Sequence, residues 1–213
     1  YSYGTRSFTI WDGETGAVVW DSGDELEQIT AEAFPNDFNA NNDENGSFES
    51  RSDNKGPEPE AVTVGMYNGR LLAFVGLERI GGFVIYDISN PEAPVFMSYV
   101  NQRNFFVDFD SNPSTLTMQL VGDLGAEDIK YVSADQSPSG NAFVIVGNEV
   151  SGNVSMFELR ERVPEVTIAE AIAGPEDVTM TIRGIVTSTN YGFNDAQFFV
   201  QDETGGINIF YRG

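Results

Sequence analysis

Four glutamates, Glu60, Glu78, Glu127 and Glu149, stand out in this chain because predicted strand pairing brings them together in twos. Asn68-Gly69 reads as a two-residue hairpin turn, which makes Tyr67 the partner of Arg70. Counting back along that register sets Glu60 opposite Leu77, one position from Glu78. A second turn centred on Pro138 sets Glu127 opposite Glu149. Like charges facing each other across a ladder are destabilising, so something must compensate them. One compensation is a hard divalent cation with oxygen ligands, calcium above all. The other is structural: each glutamate accepts backbone N–H bonds or pairs with a base, with Arg79 and Lys130 close by in sequence.

A second oxygen-rich pattern lies in the stretch from Asp21 to Glu60, which holds 12 acids against Arg51 and Lys55. There Asp37, Asn39, Asn41, Asp43 and Asn45 alternate as ligands do in a calcium loop. Asn42 stands where such a loop needs glycine and Phe48 where it needs a bidentate glutamate, so a solvated loop between sheets is the competing expectation. Asp108-Phe109-Asp110-Ser111-Asn112 has similar spacing but runs into Pro113. Trp11, Trp20, Tyr86 and Phe157 could stack on sugar rings; their strand positions favour core packing.

Composition removes several chemistries. With no histidine and no cysteine among 213 residues, the chain offers no imidazole base, Ser-His-Asp triad, thiolate nucleophile or cysteine-bound zinc. The formal net charge is −22, which disfavours a nucleic-acid partner and suits cation binding. No apolar run approaches the roughly 20 residues of a membrane-spanning helix. The opening Tyr1-Ser2-Tyr3-Gly4 has neither an initiating methionine nor a signal peptide, which suggests a processed or incomplete chain.

The elements that must position these residues read as all-β. Short aromatic and β-branched runs are bounded by Gly, Asn, Asp and Pro. One pattern (apolar, any, apolar, aromatic, acid) recurs as Phe8-Thr9-Ile10-Trp11-Asp12, Phe83-Val84-Ile85-Tyr86-Asp87 and Val154-Ser155-Met156-Phe157-Glu158, the mark of a repeated unit. Around the second copy, strands are expected from Glu60 to Val64, Arg70 to Leu77, Phe83 to Asp87 and Val95 to Val100. Around the third they run from Glu127, over Ala142 to Val146 and over Asn153 to Leu159. Four antiparallel strands make a propeller blade, and a propeller needs about four to eight blades. The expectation is a partial β-propeller over residues 1–160, about half a blade plus two more, whose partner is the remainder of its own propeller. A linker is expected at 161–166. The start of an OB-like barrel follows at 167–213, with a short helix at Thr167 to Ile172, a strand from Val178 to Thr187 and a hairpin joining Ala196–Gln201 to Ile207–Tyr211.

The segments Lys55-Gly56-Pro57-Glu58-Pro59-Glu60, Gly76-Leu77-Glu78-Arg79 and Gly147-Asn148-Glu149-Val150-Ser151-Gly152 resemble the choice-of-anchor I family, which includes mesenchyme-specific cell-surface glycoproteins associated with biomineral deposition. The resemblance implies a secreted or surface-anchored propeller with extracellular matrix, mineral or polysaccharide as partner. Some bacterial relatives carry an alkaline phosphatase label, and phytase-like propellers share the architecture, so a calcium-dependent phosphoesterase is the alternative. The stretch Phe198-Phe199-Val200-Gln201-Asp202-Glu203-Thr204-Gly205-Gly206 resembles OB-fold domains of secreted bacterial nucleases, which adds an accessory nuclease module as a third reading. Residues 163–213 carry 7 acids and 2 bases, a poor surface for nucleic acid.

Overall fold

The computed structural model describes residues 6–109, 114–161, 163, 165–176, 178–188 and 196–211. The chain falls into two compact units, Tyr1–Leu159 and Arg160–Gly213. Asp110, Ser111 and Asn112 of the second acidic motif lie outside the described residues.

Unit 1 begins with strands β1 (Thr9–Trp11) and β2 (Val18–Asp21), paired antiparallel as a two-stranded sheet, followed by helix α1 (Glu25–Ala33). A four-stranded sheet comes next: β3 (Pro59–Tyr67), β4 (Arg70–Leu77), β5 (Phe83–Asp87) and β6 (Val95–Val100), neighbours in that order and all antiparallel. After helix α2 (Thr115–Val121), a three-stranded sheet follows as β7 (Ala126–Val132), β8 (Phe143–Asn148) and β9 (Asn153–Glu158). The three copies of the recurrent pattern thus coincide with β1, β5 and β9. The fold is all-β, with antiparallel blade-like sheets, few helices and no closed barrel among the described residues.

Each element has a local reason. Asn68 and Gly69 both take positive φ, 48° and 79°, as a tight hairpin turn requires. β3 is buried on one face only, whereas β4 is buried nearly throughout, as befits a central strand. Between β3–β6 and β7–β9 lies one core, in which Leu72, Phe74 and Phe83 meet Ile129, Tyr131, Val144 and Val146. The opposite face of β4–β5 (Val75, Val84, Tyr86) packs on Leu26 of α1 and on Phe8 and Trp20.

These two interfaces are copies of one another. Phe8 meets Tyr86 edge to face at 5.0 Å and 68°, and Phe83 meets Phe157 at 5.1 Å and 68°. Phe8 and Phe83 hold the first position of the recurrent pattern, and Tyr86 and Phe157 its aromatic position. Tyr86, Trp20 and Phe157 therefore pack as expected, whereas Trp11 does not: it is 60% exposed, because no sheet among the described residues lies on its side.

The stretch expected as a solvated loop is instead packed structure. α1 buries Leu26 and Thr30, and the following turns bury Asn39, Asn41 and Asn42. Their side-chain amides bond the side chains of Glu27, Ser52, Arg51, Asp43, Glu78 and Arg79 in a region that has few apolar residues.

Unit 2 contains β10 (Glu165–Val166), α3 (Ile168–Ala173), β11 (Thr181–Ile182), β12 (Ile185–Val186), β13 (Ala196–Gln201) and β14 (Gly206–Tyr211). The helix is fixed by a capping box in which Thr167 Oγ1 accepts from Glu170 N and Glu170 Oε2 accepts from Thr167 N. The expected hairpin forms as β13–β14, its return strand beginning one residue earlier than expected, with Gln201 paired to Gly206 and Val200 to Ile207. The strand expected from Val178 to Thr187 is two short pieces, one paired parallel to β10 and the other antiparallel to β13.

Candidate metal centre

Both inner hairpins carry a β-bulge at the same rung. In β3–β4 the regular register holds from Tyr67↔Arg70 to Ala61↔Gly76, then slips so that Pro59, not Glu60, faces Leu77. In β7–β8, Asp128 pairs with Gly147 and Ala126 with Asn148, leaving Glu127 as the extra residue. The direct pairings Glu60 with Leu77 and Glu127 with Glu149 are therefore corrected. A bulge re-aims the extra side chain and ends regular pairing, and Glu60 and Glu127 are those extra residues.

The partners arrive from just beyond the return strands. Glu78 N donates to Glu58 O at 2.9 Å, and Glu149 N donates to Gly125 O at 2.8 Å, an equivalent bond in each repeat. Gly125 has φ of 72°, and Glu58, at the matching position, has φ of 51°. A left-handed backbone is free for glycine but costs an ordinary residue about 1 kcal/mol, so the first repeat holds a carboxylate where the second has none.

The result is two groups of three carboxylates that share one member. Oxygens of Glu58, Glu60 and Glu78 lie within 4.8 Å of one another, and so do those of Glu78, Glu127 and Glu149. All four sequence-predicted glutamates belong to this cluster. Glu58 is the member that pairing arguments missed, since it precedes the strand; its positive φ was not legible from residue type.

Glu78, only 5% exposed, sits at the centre. Its Oε1 accepts from Asn42 Nδ2 at 2.6 Å and faces Arg79 Nη2 at 3.1 Å. Arg79 also donates from Nε to Glu58 Oε2 at 2.5 Å and from Nη1 to Asn42 Oδ1 at 2.8 Å. Lys55 Nζ completes the set on Glu58. Burial, then the hydrogen bonds with Glu58 and Glu60, push the Glu78 carboxyl up to about 9. Burial opposes the charge of Glu58 too, but its bonds with Glu78, Lys55 and Arg79 prevail and hold it below the usual carboxylate range. Glu127 is raised by burial and by the charges of Glu60 and Glu149. The structural compensation thus exists through Arg79 for Glu58 and Glu78, while Lys130 is exposed on β7. Glu60, Glu127 and Glu149 are exposed, and an oxygen of each lies within 4.8 Å of one of Glu78. Such an all-oxygen donor set, with more negative charge than its bases neutralise, fits a hard divalent cation.

The other predicted ligand series is spread among protein partners. Asn41 Oδ1 accepts from Arg51 Nε at 2.8 Å, and its amide nitrogen donates to Asp43. Asn39 Nδ2 donates to Glu27 Oε1 at 3.0 Å and Ser52 Oγ at 3.1 Å. Burial raises the Asp37 carboxyl, partly offset by Arg103.

Comparison with known proteins agrees with the first unit. Residues 1–91 match the choice-of-anchor I domain. Gigasin-3a of Magallana gigas is 31% identical over 166 residues, covering 75% of this chain and 57% of the relative. Mesenchyme-specific cell surface glycoprotein of Strongylocentrotus purpuratus is 33% identical over 95 residues, covering 38% of this chain and 12% of the relative. The chain thus spans little more than half of one relative and about an eighth of the other. No solved structure matches it.

Proposed function

We propose that this chain, whose residues 1–91 match the choice-of-anchor I domain, is an extracellular or cell-surface binding module that holds calcium between adjacent blades of a propeller. The observation that carries this reading is the pair of three-carboxylate groups joined at Glu78. A cation there would offset the repulsion among Glu60, Glu127 and Glu149, and would tie β3–β4 to β7–β8 through ligands from both. The Strongylocentrotus purpuratus relative is named as a cell surface glycoprotein, and no described helix is long and apolar enough to cross a membrane. A net charge of −22 suits a surface that meets calcium-bearing matrix, mineral or acidic polysaccharide through shared ions. Lys55 and Arg79 are engaged by Glu58 and Glu78, so the cluster has the character of a holding site more than of a grip on phosphate.

The test is calorimetric titration of the chain with calcium, beside the double variant Glu60→Gln/Glu149→Gln. Extracellular calcium modules bind with Kd of about 10⁻⁴–10⁻³ M. An affinity of about 10⁻⁴ M would stabilise the fold by about 2.7 kcal/mol at 10 mM calcium. The double variant should bind at least tenfold more weakly. Absence of binding heat together with an unchanged melting temperature at 10 mM calcium would overturn the reading.

A further inference from the structure

The first sheet of unit 1 has two strands where the second has four. β1 corresponds to β5 and β2 to β6 by the recurrent pattern and by the matched Phe8–Tyr86 and Phe83–Phe157 contacts. In the second sheet, β4 pairs along the inner edge of β5, and β3 lies beyond it. At the matching edge of β1, no strand pairs among the described residues.

The side chains that such strands would cover are apolar and open. Counted from the bulge residue, Val62 and Val64 of β3 occupy the rungs of Ile129 and Tyr131 on β7. Ile129 and Tyr131 are buried against the inner hairpin of the preceding sheet, where Phe74 stacks on Tyr131 at 5.6 Å and 10°. Val62, Val64 and the following Met66 are 62%, 54% and 58% exposed. Among the described residues, therefore, an unpaired ladder edge and an exposed apolar stripe adjoin the inner-hairpin position of the first sheet.

We infer that this slot is the seat of an inner β-hairpin of the same repeat, whose return strand pairs antiparallel with β1 and whose bulky alternate side chains cover Val62, Val64 and Met66. The occupant is fixed by continuity with an interface already present in the molecule. Within unit 1, a hairpin of this type makes the same two contacts, edge pairing to β5 and apolar cover over β7. Two requirements on the occupant follow. The return strand must be apolar on both faces, as β4 is. The outer strand need not carry glycine at the rung of Gly65. That glycine makes room for the Tyr131 ring, whose Cδ1 would lie 2.0 Å from a Cβ at Gly65; the next stripe offers the smaller Val64 instead. This inference rests on the ladder edge and the apolar stripe and does not require the calcium reading.

The absence of cysteine makes the test direct. A copy of residues 58–78 is fused through a flexible glycine-serine linker ahead of residue 1, and Val64→Cys is introduced as the single thiol. Maleimide labelling is compared with that of Glu14→Cys in an exposed turn, in the chain with the hairpin, without it, and with a hairpin of scrambled sequence. The expected result is labelling of Val64→Cys at least tenfold slower with the hairpin alone, together with slower amide exchange at Thr9–Trp11. Equal labelling in all three chains overturns the inference. So does protection that arises without the hairpin and grows with protein concentration, because a second copy would then cover the face. A double variant Val62→Asp/Val64→Asp guards against trivial trapping: it should abolish the slowed exchange of β1 in the fused chain, and its failure to do so also counts against the proposed seat.

Discussion

Replacing Glu78 by glutamine isolates the group on which the carboxylate cluster turns. In the folded protein the Glu78 carboxyl is pushed up to about 9, from an ordinary value of 4.5. Between those limits the folded state keeps a proton that the unfolded chain has released, so stability falls as pH rises through this window. One fully displaced group costs about 1.4 kcal/mol per pH unit, an upper bound of about 2.7 kcal/mol between pH 5 and 7. Glu58, held below 4.5, is ionised in both states over nearly all of this window and leaves the slope to Glu78; screening at the exposed rim of the cluster reduces the bound, and we expect a net Glu78 contribution of about 1–2 kcal/mol over that interval. Glutamine mimics the protonated acid. Its carbonyl can accept from Asn42 and Arg79, and its amide can donate to Glu58 or Glu60. At pH 5, Glu78→Gln should therefore match the parent within about 1 kcal/mol. At pH 7 without calcium it should be the more stable chain by about 1–2 kcal/mol. Urea unfolding at pH 5, 6, 7 and 8 measures this, and the difference between the two chains cancels the general effect of net charge. Equal pH slopes in the parent and the variant would refute the assignment of the buried proton to Glu78, as would a loss above about 3 kcal/mol at pH 5.

Two further outcomes follow from the packing and the second unit. Gly65→Ala would drive a methyl group into the Tyr131 ring, which is held by stacking on Phe74 and by its hydroxyl donating to Met66 O at 2.6 Å. Overpacking of this kind costs about 1–3 kcal/mol, read as a lower melting temperature and partly recovered by adding Tyr131→Leu. In unit 2, Asp202 accepts from Ile168 N and from the Thr204 backbone and hydroxyl, which hold its carboxyl down at about 2. Its contribution is present above the ordinary value of 3.8 and is lost as pH falls through about 2. Amide protection at Ile168–Ala173, taken relative to intrinsic exchange at each pH, should fall over that acid range in the parent and stay constant there in Asp202→Asn.

The repeat was readable because its pattern sits on strands whose two faces are both specified, so that a one-residue slip would expose Phe83 or Tyr86. Asn68-Gly69 likewise fixed its hairpin as far as Ala61. Beyond that the register depended on tertiary context. The bulges at Glu60 and Glu127 arise where the chain turns back beside Glu58 and Gly125, and no local preference of a glutamate announces either. The same limit hid the two helices of unit 1. α1 is short, opens on Asp24 without a side-chain cap, and gains its place chiefly from Leu26 against Val84 and Tyr86. α2 carries Thr115, Thr117 and Val121, residues whose branched side chains suit a strand equally well, and the Ser114 cap, accepting from Thr117 N at 3.2 Å, together with burial of Val121 beside Phe109 and Leu124 decides otherwise. The oxygen-rich loop misled in the other direction: its alternation serves hydrogen bonding to Arg51, Glu27 and Ser52, and a one-dimensional spacing does not reveal which partner each amide faces.

The matched aromatic contacts, Phe8 on Tyr86 and Phe83 on Phe157, have a consequence for how damage spreads. Each junction is sealed by its own pair, and neither ring is shared with the other junction. Cohesion in such an array is a sum over nearest neighbours. Harm at one seam should loosen the sheets on either side of it and fade beyond, so that the molecule frays inward from its ends before it melts as a whole.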